Sequence, residues 1–272
     1  MSTQTTNVER FLALHHGDAP LLLPNPWDQG SAKILASLGF LALATTSSGF
    51  AMTLGRPDGS VTRDEALGHA ASIVSATGLP VSADLERCFA DDPAGVAQTV
   101  ALAKDAGLAG CSIEDSTGVP GEPIYDASLA AQRVRAAAEA AHQGEGSLVL
   151  TARAENYLHG RPDLADTIAR LQAFQEAGAD VLYAPGLTKL AEIRQVVAEV
   201  DRPVNVLALS GGPVVPELAA AGVSRISVGG AFAFAAAGAL VTAARELLEH
   251  GTYGYLKGAA AGRAATRAAF GG

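Results

Sequence analysis

Short apolar runs bounded by loops alternate along this chain with longer segments of helical spacing, and the alternation predicts a repeated βα unit. Strands are expected at 21–25, 41–46, 81–86, 111–114, 148–154, 181–184, 204–209 and 226–228. Runs this apolar suit strands buried on both faces, as in a parallel sheet. Helices are expected at about 7–15, then at 29–38, 63–76, 93–106, 127–141, 164–177, 189–199 and 214–220, with a long Ala-rich helix from Ala231. Thr62 and Glu65 are spaced as a capping box for the helix they begin. Three helices end in Ala-Gly, at 106–107, 177–178 and 221–222. Each glycine suits a left-handed cap before the next strand.

About eight βα units result, the number that closes a (β/α)8 TIM barrel, which needs about 250 residues. Residues 1–272 are therefore expected to form one α/β barrel domain. A doubly wound open sheet competes, but its Gly-rich fingerprint after the first strand is missing from residues 21–30. The barrel does not need the C-terminal helical segment, 231–272. Its helix at 258–270 is expected either to pack on another subunit or to cover the barrel bottom.

Composition narrows the function. Hydrophobic residues make up 49% of the 272 and charged residues 17%, which excludes a disordered chain. The net charge is −9 with no basic run, which argues against nucleic acid and anionic membrane surfaces. Residues 1–9 lack the apolar core of a signal peptide. No stretch is expected to span a bilayer; 228–248 comes closest, but Arg245 and Glu246 end its apolar part. A cytoplasmic protein follows. Cys88 and Cys111 have no disulfide or metal-ligand spacing and read as small apolar residues.

Candidate chemistry sits at the carboxyl ends of the strands, where α/β folds place their ligands. Asp84 and Glu86 end one apolar run, Glu114 and Asp115 the next, Arg153 and Glu155 a third. Asp84, Glu86 and Glu114 are candidate ligands for Mg²⁺, with Mn²⁺ as a substitute, because this ion takes hard oxygen donors and keeps several waters. The alternative is a set of rim salt bridges. Asp58 either joins through water or serves its own turn. Arg153 suits a substrate carboxylate through two parallel hydrogen bonds, or else neutralises Glu86 or Glu114. In Thr45-Thr46-Ser47-Ser48-Gly49, Gly49 would let backbone N–H groups approach an anion and Ser48 would add a hydroxyl. Gly211-Gly212 and Gly229-Gly230 follow the last two strands, where many barrels bind phosphate, so a phosphorylated substrate is an alternative. His159 is a candidate acid or base, but it lies some residues past the strand end and reads more readily as a solvated loop residue.

Taken in order, Asn25-Pro26-Trp27-Asp28, Ser48-Gly49, Gly55–Asp58, Asp84–Glu86, Ile113-Glu114-Asp115, Thr151-Ala152-Arg153 and Val204-Asn205 resemble the isocitrate lyase and phosphoenolpyruvate mutase superfamily. The resemblance spans about residues 8–250. It implies a (β/α)8 barrel, Mg²⁺, small 2-oxo or 2-hydroxy acids, and helix-swapped dimers assembled into tetramers. It places Arg153, Glu114 and Asp58 among catalytic positions, and Thr46, Ser48, Gly49, Phe50, Arg153 and Asn205 among substrate-binding ones.

The departures bear on mechanism. Lyases of this superfamily carry Lys-x-Cys-Gly-His after Glu-Asp, and mutases a Lys and an Asn; residues 116–125 contain none of these. Glu86 stands where aspartate is usual, Thr46 where lyases often have Tyr, and Pro185 where they have a glutamate. The expected activity is a Mg²⁺-dependent carbon–carbon lyase or decarboxylase working through a metal-stabilised enolate, with oxaloacetate or 2-oxoglutarate-like acids as ligands. Alternatives are C–P bond chemistry on phosphonopyruvate-like substrates, or a non-catalytic 2-oxo acid binding protein. A homo-oligomer, dimer or tetramer, is expected.

Overall fold

The structure, a computed structural model, describes residues 3–144 and 147–271; the domain bounds at 1 and 272 lie outside them. Eight parallel strands form one sheet: β1 (Leu21–Leu23), β2 (Leu43–Ala44), β3 (Val81–Asp84), β4 (Gly110–Glu114), β5 (Val149–Arg153), β6 (Val181–Tyr183), β7 (Val204–Leu207) and β8 (Arg225–Ser227). Their order, β1-β8-β7-β6-β5-β4-β3-β2, wraps round until its ends meet. At that seam the Ala44 N–H donates to the Pro24 carbonyl at 3.0 Å. Asn25 completes it, donating from Nδ2 to the Thr45 carbonyl at 2.9 Å. Its Oδ1 accepts from the N–H groups of Val228 and Gly229 at 3.0 and 2.9 Å. The result is the expected (β/α)8 barrel, nearly closed.

Strand alternation sorts the barrel into an apolar outside and a polar inside. Val81, Ala83, Cys111, Ile113, Leu150, Ala152, Leu182, Val206 and Ile226 face the helices and join the main core. The alternate positions, Ser82, Asp84, Ser112, Thr151, Arg153, Tyr183, Asn205, Arg225 and Ser227, line an internal cavity. Interiors of such barrels are usually filled with branched apolar side chains. Here only the amino ends of the strands are plugged that way. Helix α1 (Thr3–Leu14) inserts Val8 and the fully buried Phe11 among Leu21, Ala42, Ala109, Val149 and Val181. Gly110 makes room for it: a Cβ there would lie 2.9 Å from the Phe11 ring and 2.8 Å from the Val149 carbonyl.

The outer helices are α2 (Gln29–Ser37), α4 (Arg63–Ala76), α5 (Pro93–Asp105), α6 (Ala127–His142), α7 (Leu164–Glu176), α8 (Leu190–Glu199) and α9 (Val215–Ala220); α3 (Ser47–Thr53) follows β2, and α10 (Ala231–His250) and α11 (Leu256–Phe270) end the chain. The capping box of Thr62 with Glu65 forms, and Gly107, Gly178 and Gly222 all take positive φ.

Several expectations need correction. Helix α1 starts four residues early, and most strands stop short of their apolar runs because the residues beyond leave the ladder to serve the rim. Helix α3 is not among the expected helices. Helix α11 neither covers the barrel bottom, which α1 occupies, nor stands free; it lies on α2 of its own chain, with Phe270 3.8 Å from the space beside Gly30. Helix α10 is, against expectation, long and apolar enough to cross a membrane by length and composition. Only Ala233 of its 20 residues is buried, and Leu240 and Leu248 are 70% and 87% exposed.

His15 ties α1 to the barrel. Its Nδ1 donates to the Phe11 carbonyl at 2.7 Å, which leaves Nε2 to accept from Arg225 Nη1 at 3.1 Å. Burial, with Arg225 adding, lowers its pKa to about 3. The fold therefore holds His15 neutral, while the unfolded chain protonates it near 6.5. Stability from this group is complete above pH 6.5 and falls as the pH drops toward 3, by up to about 1.4 kcal/mol per pH unit. Urea unfolding at pH 7 and pH 5 should show His15→Gln losing less stability on acidification than the parent; equal losses would contradict the assignment.

Candidate active site

Arg153, the last residue of β5, is ringed by carboxylates from three neighbouring segments. Its Nη1 donates to Asp84 Oδ1 at 3.0 Å, Nη2 lies 3.3 Å from Glu114 Oε2, and Nε donates to Glu155 Oε1 at 2.9 Å. The Tyr183 ring lies 5.2 Å from its Cζ. Burial opposes this charge, but Glu155, Glu114 and Asp84 together hold it well above the usual arginine range. The guanidinium is thus committed to the protein's own acids. The neutralising role expected for it is filled, and Glu155 is a partner that the sequence reading passed over.

Asp84 is fixed from several sides. The Ser47 N–H donates to its Oδ2 at 3.2 Å and the Glu86 N–H to its Oδ1 at 3.4 Å. Its own N–H donates to Thr45 Oγ1 at 2.9 Å. Asp58 lies on an exposed turn, accepts from the Gly59 N–H at 3.1 Å, and lines a cavity together with Asp84. Burial pushes Glu86 up to about 7, with Asp84 and Asp58 adding to the effect. Burial likewise pushes Glu114 well above the usual carboxylate range, against the pull of Arg153. The rim therefore holds more carboxylates than one arginine can balance.

Two chambers meet at these acids. The inner one, about 190 Å³, runs down the barrel from Ser47, Ser48 and Gly230 to Thr151 and Arg225. The outer one, about 490 Å³, is walled by Asp58, Glu86, Glu114, Ser116, Glu155 and His159. Asp115 faces away from both, as strand alternation requires of the residue after Glu114. It accepts from Arg170 Nη1 at 3.0 Å and from the Glu155 N–H at 2.8 Å, and burial raises it to about 6.

The Thr-Thr-Ser-Ser-Gly segment opens α3. Thr46 caps α3, and the Gly49 N–H is spent on Thr46 Oγ1 at 3.3 Å, so it is not free for an anion. Gly49 is there for packing: a Cβ would come within 2.5 Å of Thr46 Cγ2 and 3.2 Å of Trp27 Cβ. Phe50 stacks on His69 with centroids 3.9 Å apart and does not line the inner chamber. Ser48 does line it, with its hydroxyl 3.2 Å from Thr46 Oγ1. Asn205 also lines it, but Oδ1 accepts from Arg225 Nε at 2.9 Å and Nδ2 donates to Ser227 Oγ at 3.0 Å.

The loop after Glu114 is a closed hairpin. Ser116 pairs with Ile124, the Thr117 N–H donates to the Pro123 carbonyl at 2.9 Å, and Arg87 Nη1 donates to the Thr117 carbonyl at 2.7 Å. Both cysteines are buried, and burial pushes Cys88 well above its usual range and Cys111 to about 12, so neither is a nucleophile.

A divalent cation suits this donor set. The oxygens of Asp58, Asp84, Glu86 and Glu114 are hard; burial raises Glu86 and Glu114, and the neighbouring carboxylates add to it. Among the described residues, no three acid, histidine or cysteine groups converge to cage an ion by themselves. An ion held by few carboxylates and several waters matches that spacing, and this is the habit of Mg²⁺.

The phosphoenolpyruvate phosphomutase family profile matches residues 11–248. A crystal structure from Burkholderia cenocepacia J2315, described only as a lyase/mutase, is 51% identical with a TM-score of 0.94, over 97% of this chain and 96% of that one. The 2-methylisocitrate lyase of Escherichia coli K12 is 31% identical over 202 residues, 71% of this chain and 67% of that protein. The crystal structure of 2,3-dimethylmalate lyase, a PEP mutase/isocitrate lyase superfamily member, is 29% identical with a TM-score of 0.83, over 93% and 90%.

Arg133, on α6, supports the site from behind. Glu86, Cys88 and Phe89 all take positive φ, at 50°, 59° and 54°, a strained path for residues with side chains. The buried Arg133 holds that path by donating to the carbonyls of Arg87, Ala90 and Glu114 at 2.6, 2.9 and 3.1 Å. Its ring of carbonyls would be left unpaired in Arg133→Met. That variant should lose at least about 2 kcal/mol in urea unfolding. A loss under ~0.5 kcal/mol would show that the loop holds itself.

Proposed function

This chain belongs to the phosphoenolpyruvate phosphomutase family, and from that premise we propose that it is a divalent-metal-dependent carbon–carbon lyase or decarboxylase. Its substrates are small 2-oxo or 2-hydroxy di- or tricarboxylates. The observation that carries the reading is the acid-rich rim opening onto an inner chamber of about 190 Å³. That volume is below the ~300–1,000 Å³ of pockets for drug-sized ligands and suits a small acid.

Mg²⁺, or Mn²⁺ in its place, would be held by Asp84, Glu86 and Glu114, with Asp58 acting through water. Bound there, it supplies the positive charge that a 2-oxo acid needs as negative charge builds on its oxygen. The Ser47 N–H keeps the Asp84 carboxylate turned to the site. Arg153 pairs with three of the acids around it and keeps them close together. Ser48 offers the substrate a hydroxyl, and Asn205 shapes the wall below it.

The hairpin at 116–125 brings no Lys, Cys or His to the reacting carbon. Decarboxylation tolerates this best, because water from the outer chamber can supply the final proton. Aldol-type cleavage also needs a base for the 2-hydroxyl. The test is turnover of oxaloacetate, methylisocitrate and dimethylmalate with Mg²⁺ or Mn²⁺; no turnover of any with either metal would refute the lyase reading. Asp84→Ala should lower Mg²⁺-dependent binding of 2-oxo acids at least about 100-fold by calorimetry, and unchanged affinity would refute the metal site.

The protein works, on this reading, as a homo-oligomer in the cytoplasm. Helix α10 leaves Phe234, Leu240, Val241, Leu247 and Leu248 uncovered, and a second copy is the partner that buries them, by exchange of the C-terminal helices. Sedimentation should give a dimer or tetramer, and Leu240→Glu with Leu248→Glu should shift it toward monomer. A monomeric parent protein would exclude the exchange.

A further inference from the structure

Arg225 is the deepest charge in the inner chamber, and the chemistry above gives it no task. It opens β8, is 4% exposed, and lines the same cavity as Asp84 and Arg153. Its three hydrogen bonds go to neutral acceptors: Nε to Asn205 Oδ1 at 2.9 Å, Nη1 to His15 Nε2 at 3.1 Å, and Nη2 to Thr151 Oγ1 at 3.0 Å. Among the described residues no carboxylate pairs with it, whereas Arg153 above it has three. A guanidinium has five N–H groups, so Nη1 and Nη2 each keep one uncommitted. Burial lowers Arg225 to about 10, with Arg153 adding in the same direction. Cations are rarely buried without a counter-charge, and here the cavity leads to one.

We propose that Arg225 is a specificity-determining residue, whose uncommitted N–H groups take the second carboxylate of a diacid bound with its 2-oxo end at the acid rim. The inference rests on the 2-oxo acid reading given above. It assigns the two arginines different tasks by depth. Arg153 is saturated by protein acids and organises the rim; Arg225 lacks an anion and selects for one. Thr151, Tyr183 and Ser227 line the chamber beside it, so a carboxylate there meets hydroxyls as well as charge. Arg225 also pins α1 through His15, and the test must separate that structural task from selection.

Calorimetry with saturating Mg²⁺ compares acids that share a 2-oxo end and a chain length but differ in the distal carboxylate. The pairs are 2-oxoglutarate with 2-oxopentanoate and oxaloacetate with 2-oxobutanoate. The parent protein should favour the diacid at least about tenfold in one pair or both. Arg225→Gln should lose that preference while binding the monoacid within about twofold of the parent, which loss of folding would not produce. Arg225→Lys keeps the charge but not the fork and should lose about threefold. A parent without preference in either pair overturns the proposal, as does an Arg225→Gln variant that keeps the preference. Should Arg225→Gln fail to melt cooperatively, the parent ratios and Arg225→Lys decide, and a lysine variant with an unaltered ratio overturns it. A parent that binds the monoacids but not the diacids any better refutes only this inference. Binding of none of the four acids refutes the functional reading beneath it.

Discussion

One buried ion-pair cluster, Arg153 with Asp84, Glu114 and Glu155, sets the terms for everything at the carboxyl end of the barrel. Each of these groups sits where an isolated charge would cost of order several kcal/mol to bury. The cost is offset only because one guanidinium reaches three carboxylates from β3, β4 and the turn after β5 at once. The cluster therefore ties those strand ends together by side chains in addition to their backbone ladders. It is also unbalanced, three acids to one base, before Glu86 and Asp58 are added. That imbalance is what would favour a divalent cation at this rim.

The cluster needs rigid surroundings, and Arg170 and Arg133 on the outer helices provide them. Asp115 points to the far side of β4, where Arg170 of α7 and the Glu155 N–H hold it. Arg170 also donates to the Tyr125 carbonyl at 2.9 Å, which fixes the end of the hairpin beside Glu114. Arg133 does the same for the strained path through Glu86. A loop that carries three non-glycine residues at positive φ persists only where neighbours over-determine it. The site is thus built from arginines on the surrounding helices as much as from the rim acids themselves.

The fold was legible in the sequence because parallel strands buried on their outer faces read as apolar runs, and because Ala-Gly marks three helix ends. The rim acids were legible for the same reason: each ends such a run. What stayed hidden was the polar interior. Ser82, Ser112, Thr151 and Ser227 alternate with apolar neighbours over strands too short for the period to stand out. Helix α3 was hidden because Thr46-Ser47-Ser48-Gly49 carries turn chemistry, and capping hydroxyls look the same as turn hydroxyls. Arg133 lies in an Ala-rich helix where an arginine looks solvated. Asp115 was the recoverable miss: period-two alternation places it opposite Glu114, away from the cavity.

A polar barrel interior must still exclude bulk water from below, and this explains the use made of α1. Val8 and Phe11 close the amino ends of the strands with apolar packing, and His15 lies just past the helix that carries them. Kept neutral, His15 can accept from Arg225 without adding charge, so the plug ends in a group that satisfies the cation but does not discharge it. A carboxylate at position 15 would neutralise Arg225 and leave the floor with no pull on an anion. The chamber above is then bounded by an acid rim that favours a metal and a floor that keeps positive charge. The distance between these two fields is what would decide the length of acid that fits.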